Sequence, residues 1–70
     1  MENHETAATI TALLNGAASD VTGLGAGLTE AAMAMEGGNH NMAFGILLEA
    51  QEMLDRAQAR LTAARTIRGL

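Results

Sequence analysis

The sequence predicts an all-α fold: an antiparallel helical hairpin that dimerises into a four-helix bundle. Three observations predict it. Alanine, leucine and methionine are abundant and proline is absent, a composition that favours helix throughout. In both halves of the chain apolar residues recur in alternating steps of four and three, the spacing of one helical face. A Gly-Gly-Asn link at residues 37–39 separates the halves, and so short a link makes the helices antiparallel neighbours. β-Branched residues never alternate over a run, so no strand is predicted.

The first helix is expected over about residues 6–36. Ile10, Leu14, Ala17, Val21, Leu24, Leu28, Ala31 and Met35 form its stripe. The stripe passes through Thr22-Gly23-Leu24-Gly25-Ala26-Gly27-Leu28 without losing register, which a linker has no reason to do. Each interior glycine costs about 0.8–1 kcal/mol relative to alanine, so something should offset Gly16, Gly23, Gly25 and Gly27. Gly16, Gly23 and Gly27 share a face, and small residues spaced this way let a second helix approach closely. The alternative stays open at this stage: Asn15-Gly16 can stop a helix and Ser19 or Asp20 can cap a new one, giving a break near residues 15–20.

Glu36-Gly37-Gly38-Asn39-His40-Asn41 should form the turn, with glycines closing one helix and Asn39 or Asn41 capping the next. The second helix is expected over about residues 41–68. Ala43, Leu47, Ala50, Leu54, Ala57, Leu61 and Ala64 form its stripe, with Ile46, Met53 and Ile67 beside it. Alanine at every seventh place allows the same close approach as the glycines. Glu52 and Arg56 stand four apart in the favourable order, and arginines in the last turns suit the helix dipole. At 1.5 Å per residue, arms of roughly 30 residues give a hairpin about 45 Å long.

Size and composition point to self-association. Ordering 70 residues costs on the order of 100 kcal/mol of conformational entropy. Cysteine is absent and Phe44 is the single aromatic, which removes disulfides and thiolate metal sites and leaves a core of small and aliphatic side chains. Leu13, Ala32, Met33, Ile46, Leu48, Met53 and Ile67 exceed what one stripe per helix can bury. Two hairpins back to back would cover them, most simply as a two-fold homodimer. The packing positions are thus Leu14, Val21, Gly23, Leu24, Gly27, Leu28, Ala43, Ile46, Leu47, Ala50, Met53, Leu54, Ala57 and Leu61.

Charge narrows the function classes. The formal net charge is −4, with eight acids, four arginines and no lysine, which argues against direct nucleic-acid binding. No basic leader or long apolar run is present, so neither a signal peptide nor a membrane span is expected, and the chain reads as cytoplasmic. His4 and His40 lack the further ligands that a metal needs. Thr6, Thr9, Thr11, Ser19, Thr22 and Thr29 lack a base to activate them. The glycines lack the lysine and preceding strand of a phosphate loop. No enzyme, metal site or cofactor is expected.

Binding residues are sought at the hairpin tip. Met33, Met35, Met42 and Phe44 cluster in sequence around the turn, and methionine-rich surfaces adapt to partners. Glu36, Glu49, Glu52 and Asp55 would form an acidic rim. Arg56, Arg60, Arg65 and Arg68 would offset Glu2 and Glu5, which the hairpin brings alongside.

The two heptad stripes and the Gly-Gly-Asn turn, over about residues 10–68, resemble the layout of small plasmid- and phage-encoded helical hairpins that dimerise into four-helix bundles, the repressor-of-primer layout among them. That family binds RNA through a basic face, which this chain lacks. In size and acidity the chain is also similar to the anti-quorum-sensing hairpins of phages. The resemblance implies a homodimer that binds and modulates another protein, with a basic DNA-binding regulator as the expected partner. A structural subunit or co-chaperone completed in a larger hetero-assembly is the alternative.

Overall fold

The computed structural model describes residues 4–70, so the expected pairing of Glu2 lies outside the described residues. Two helices account for nearly all of them: α1, His4–Glu36, with 33 residues, and α2, His40–Arg68, with 29. They pack as an antiparallel hairpin whose longest dimension is 54 Å. α1 is continuous, with no break near residues 15–20. The longer α1 accounts for a hairpin longer than the arm length expected from sequence.

Local hydrogen bonding explains the reversal. Gly38 takes φ +80°, a conformation open to glycine because it has no Cβ. Its N–H donates to the Met35 carbonyl (3.1 Å), and the Asn39 N–H donates to the Ala34 carbonyl (2.8 Å). Those two bonds satisfy carbonyls that a helix end would otherwise leave unpaired. Asn39 then opens α2, its side chain accepting from the Met42 N–H at 3.4 Å. At the far end the Gly69 N–H closes α2 on the Arg65 carbonyl.

The seam between the helices differs from the stripe read in the sequence. Its buried members are Ala17, Asp20 and Ala31 of α1 and Ala43, Ala50, Ala57 and Ala64 of α2. Ile10, Leu13, Leu24, Gly27 and Ala34, with Ile46, Met53, Arg60 and Ile67, are half-buried beside them. Both seven-residue series survive, but the seam takes the position three residues after each member, not four. Leu14, Val21, Leu28 and Met35 of α1 and Leu47, Leu54 and Leu61 of α2 therefore stand exposed along one edge. Leu13, Ile46, Met53 and Ile67, which seemed left over, help to form the seam. Ala32, Met33 and Leu48 stay exposed.

The reason is size. Long side chains of α2 lie over the glycines of α1. A Cβ added at Gly16 would come within 2.9 Å of Arg60 Nε, and one at Gly23 within 2.9 Å of Met53 Sδ. At Gly27 it would make ordinary contact, 3.6 Å from Ile46 Cγ2. Gly25 faces no neighbour within 4 Å, so close approach accounts for Gly16 and Gly23 and not for every glycine in the run. Beside these side chains on α2, Ala43, Ala50, Ala57 and Ala64 need almost no width, and Ala43 is 0% exposed.

One charged group sits inside this seam. Asp20 is 8% exposed. Its carboxylate accepts from Arg56 Nε at 3.5 Å and from Arg60 Nη1, and Arg60 Nη1 also donates to the Gly16 carbonyl at 3.2 Å. Arg56, expected to pair with Glu52 on its own helix, instead crosses to α1. A polar pair in an otherwise apolar seam fixes register because any slip strands a desolvated carboxylate. Arg60→Met should therefore destabilise the hairpin by about 1–3 kcal/mol, the cost of an under-satisfied buried polar group. Asp20→Leu with Arg60→Met should be at least as stable as the parent, since an apolar pair carries no desolvation cost. Thermal melts followed by circular dichroism check both, and a double variant weaker than Arg60→Met alone would refute this role.

A candidate interaction surface

Helix geometry divides the molecule into two long faces. Successive side chains turn by about 100°, so the seam flanks of each helix point to opposite sides of the hairpin. On one side Leu24, Leu28, Leu47 and Leu54 line a shallow groove together with Ala50 and Gln51. Leu14, Val21 and Met35 continue this edge of α1 at seven-residue intervals, and Leu61 continues that of α2. No charged side chain interrupts the leucine side until Arg65 and Arg68, which flank a second depression beside Ile10 and Ala64 at the open end.

The opposite side is built differently. Gly23, Gly27, Ile46 and Met53 floor a narrower groove, and Glu30 and Glu49 stand on its two rims. Glu30 belongs to this groove although the sequence reading passed over it. Its signal was available: Glu30 is seven residues beyond Gly23, on the same flank of α1.

The hairpin tip does not form one patch. Met33 and Met35 are two positions apart on α1, and so are Met42 and Phe44 on α2. Two positions on a helix are about 200° apart, so each pair is split across the faces. Met35 and Phe44 extend the leucine side, whereas Met33 and Met42 fall on the glutamate side. All four are well exposed, Phe44 at 59%. Met42 is tied locally, its Sδ accepting from Asn39 Nδ2 at 3.5 Å. The acidic residues spread in the same way. Glu49 lines the glycine groove, while Glu52, Asp55 and Glu36 point outward. Asp55 accepts from Gln51 Nε2 at 2.9 Å.

Five threonine hydroxyls are occupied within their own helices. Thr9, Thr11, Thr22, Thr29 and Thr66 each donate to the carbonyl four residues earlier, at 2.9–3.1 Å. Among the described residues no three His, Cys, Asp or Glu side chains are placed to hold a metal ion, and no helix is long and apolar enough to cross a membrane. What the arrangement offers is surface: an apolar face on one side and an acid-rimmed groove on the other. No family model, curated protein or solved structure matches the chain.

The division of the tip is testable. Met35→Ala with Phe44→Ala should weaken any self-association, read as a smaller rise of melting temperature with protein concentration. Met33→Ala with Met42→Ala should leave that rise unchanged. Equal effects of the two pairs would show that the tip acts as a single patch.

Proposed function

We propose that this chain is a small acidic helical protein that works as a homodimer, binds another protein and modulates it, acting in the cytoplasm as an inhibitor of the plasmid- or phage-encoded kind. The observation that carries the reading is surface. The chain exposes 5127 Å² for its 7.2 kDa, against roughly 4,100 Å² for a compact monomer of that mass. The excess is of the order that one partner covers in a standard interface, about 800 Å² per side. It coincides with a leucine face that carries no charge over most of its length. Covering a half-exposed leucine contributes on the order of 1 kcal/mol, given about 1.5–3 kcal/mol for complete burial.

With the leucine side used for self-association, the glutamate side is left for another protein. Glu30 and Glu49 across a floor of Gly23, Gly27, Ile46 and Met53 suit a basic amphipathic helix, which would set an apolar residue on the floor and its cations on the rims. A basic DNA-binding regulator presents such a helix. The second reading, a subunit completed in a larger hetero-assembly, draws on the same leucine face with a different protein upon it.

Light scattering after size exclusion, with melts at several concentrations, separates the two. The dimer reading expects a mass twice 7.2 kDa and a melting temperature that rises with concentration, both lost in Leu54→Glu. A poorly helical monomer would favour the hetero-assembly. For the partner site, a lysine-rich amphipathic peptide serves as probe. Its affinity should fall at least about tenfold, or 1.4 kcal/mol, in Glu30→Lys with Glu49→Lys. An unchanged affinity would remove the glutamate groove from the proposal.

A further inference from the structure

We infer that the second copy packs on the leucine face head to tail, with the tip of one hairpin at the open end of the other. This rests on the dimer reading above and adds its symmetry.

The first support is the order of side chains along the face. Asp20 pairs with Arg56, and Gly23 faces Met53, so Val21 and Leu54 stand at one level. That level is the middle of the hairpin, since α1 runs His4–Glu36 and α2 runs His40–Arg68. From it the face reads the same in both directions. On α1, Val21 is flanked at seven residues by Leu14 and Leu28; on α2, Leu54 is flanked at seven by Leu47 and Leu61. A two-fold axis lying in the interface, across the helices at this level, sets Val21 against the partner's Val21 and Leu54 against the partner's Leu54. The same operation sets Leu14 against the partner's Leu28 and Leu47 against the partner's Leu61. The face is complementary to itself when reversed, as an isologous contact requires.

Charge decides between this and the other two-fold arrangement, in which both tips lie at the same end. The tip half of the hairpin carries Glu30, Glu36, Glu49 and Glu52 and no arginine. The open half carries Arg56, Arg60, Arg65 and Arg68, against Glu5, Asp20 and Asp55 among its described residues. Tips together would bring two acidic halves side by side. It would also gather the Arg65 and Arg68 pairs of both copies at one end of the interface, because these residues lie on the leucine side next to Ile10 and Ala64. Head to tail, the same axis brings Arg65 and Arg68 level with the first turn of the partner's α2, in the tip half that carries acids and no arginine. The acidic half of each copy then lies beside the arginine-bearing half of the other. The covered area is adequate. A face of 54 by 14 Å between Cα extremes approaches the roughly 800 Å² per partner of a stable interface once side chains are added.

The test uses the full chain, which contains no cysteine. Asn41→Cys carries a single nitroxide on an exposed position at the tip, and dipolar spectroscopy reads the distance between the two labels of a dimer. Head to tail, the labels lie about 40 Å apart along the bundle, at 1.5 Å for each of roughly thirteen residues either side of Leu54. Tips together, they lie about 20 Å apart, the width of two helices with side chains. A second variant guards against a local effect of the first. In a dimer mixed from Asn41→Cys and Thr62→Cys chains, the head-to-tail arrangement gives the short distance and the tips-together arrangement the longer one. A long Asn41 distance with a short mixed distance supports the inference. The reverse pattern in a chain that scatters as a dimer overturns the inference and leaves the dimer reading standing. A monomeric mass overturns both.

Discussion

Everything in this hairpin follows from a difference in side-chain size across the seam. α2 presents Ile46, Met53 and Arg60 towards Gly27, Gly23 and Gly16 of α1, while its own Ala43, Ala50, Ala57 and Ala64 fill the remaining line of contact. A long side chain over a glycine occupies the space that two medium side chains would otherwise share. The glycines carry a helix-propensity cost of roughly 3–4 kcal/mol over four positions, and this packing offsets part of it. Gly25, which meets nothing in the hairpin, stands outside that explanation. The rotation of both helices is set by the same fit. Turned to bring Leu47, Leu54 and Leu61 inward, α2 would leave the glycine positions of α1 unfilled.

The consequence is an inversion of the usual layout. No large side chain among the described residues is fully buried, so the groups with most to gain from burial are the ones left at the edge. A seam of alanine methyls removes little apolar area from water, at about 0.8 kcal/mol for each buried carbon of this kind. Helices in folded proteins owe most of their stability to packing of an apolar face. On the proposed reading, then, folding and association form one equilibrium. The alanine seam and the Asp20 pair select the geometry of the hairpin, and the leucine face contributes most of the free energy when a second chain covers it.

Much of this was legible in sequence. The absence of proline, the seven-residue repeats and the Gly-Gly-Asn link give a helical hairpin, and the persistence of the repeat through Thr22–Leu28 favours one continuous α1 over a break near residues 15–20. The choice between the neighbours three and four residues on was not legible. Ranked by hydrophobicity, Leu14, Val21 and Leu28 outrank Leu13, Asp20 and Gly27 as a set, and that ranking selects the wrong flank. The seam is chosen by fit, which depends on the opposite helix, and no single-helix pattern contains it. Asp20 shows the same limit. Alone it reads as a helix cap; it becomes a seam residue only because Arg56 and Arg60 arrive from 36 and 40 residues away. The tip methionines fail for a simpler reason: nearness in sequence was taken for nearness in space, although two positions along a helix point to opposite sides.

The two faces need not compete, because they solve different problems. An apolar face free of charge is indifferent to the identity of its occupant. What restricts it to a second copy, on the inferred arrangement, is the reversal symmetry of Leu14-Val21-Leu28 and Leu47-Leu54-Leu61 together with the segregation of acids and arginines to opposite halves. The glutamate face is selective in the other way. Its floor is narrow because Gly23 and Gly27 carry no side chains to widen it, and its rims are anionic through Glu30 and Glu49. A head-to-tail dimer would present two such grooves, one on each outer side and pointing in opposite directions. A target that is itself a two-fold dimer could engage only one of them with each of its equivalent helices, so the assembly would tend to bridge targets instead of capping a single one. On the proposed reading an inhibitor built this way would act by occupying a basic helix and by linking its targets together, and both effects would trace back to the glycines that set the rotation of the hairpin.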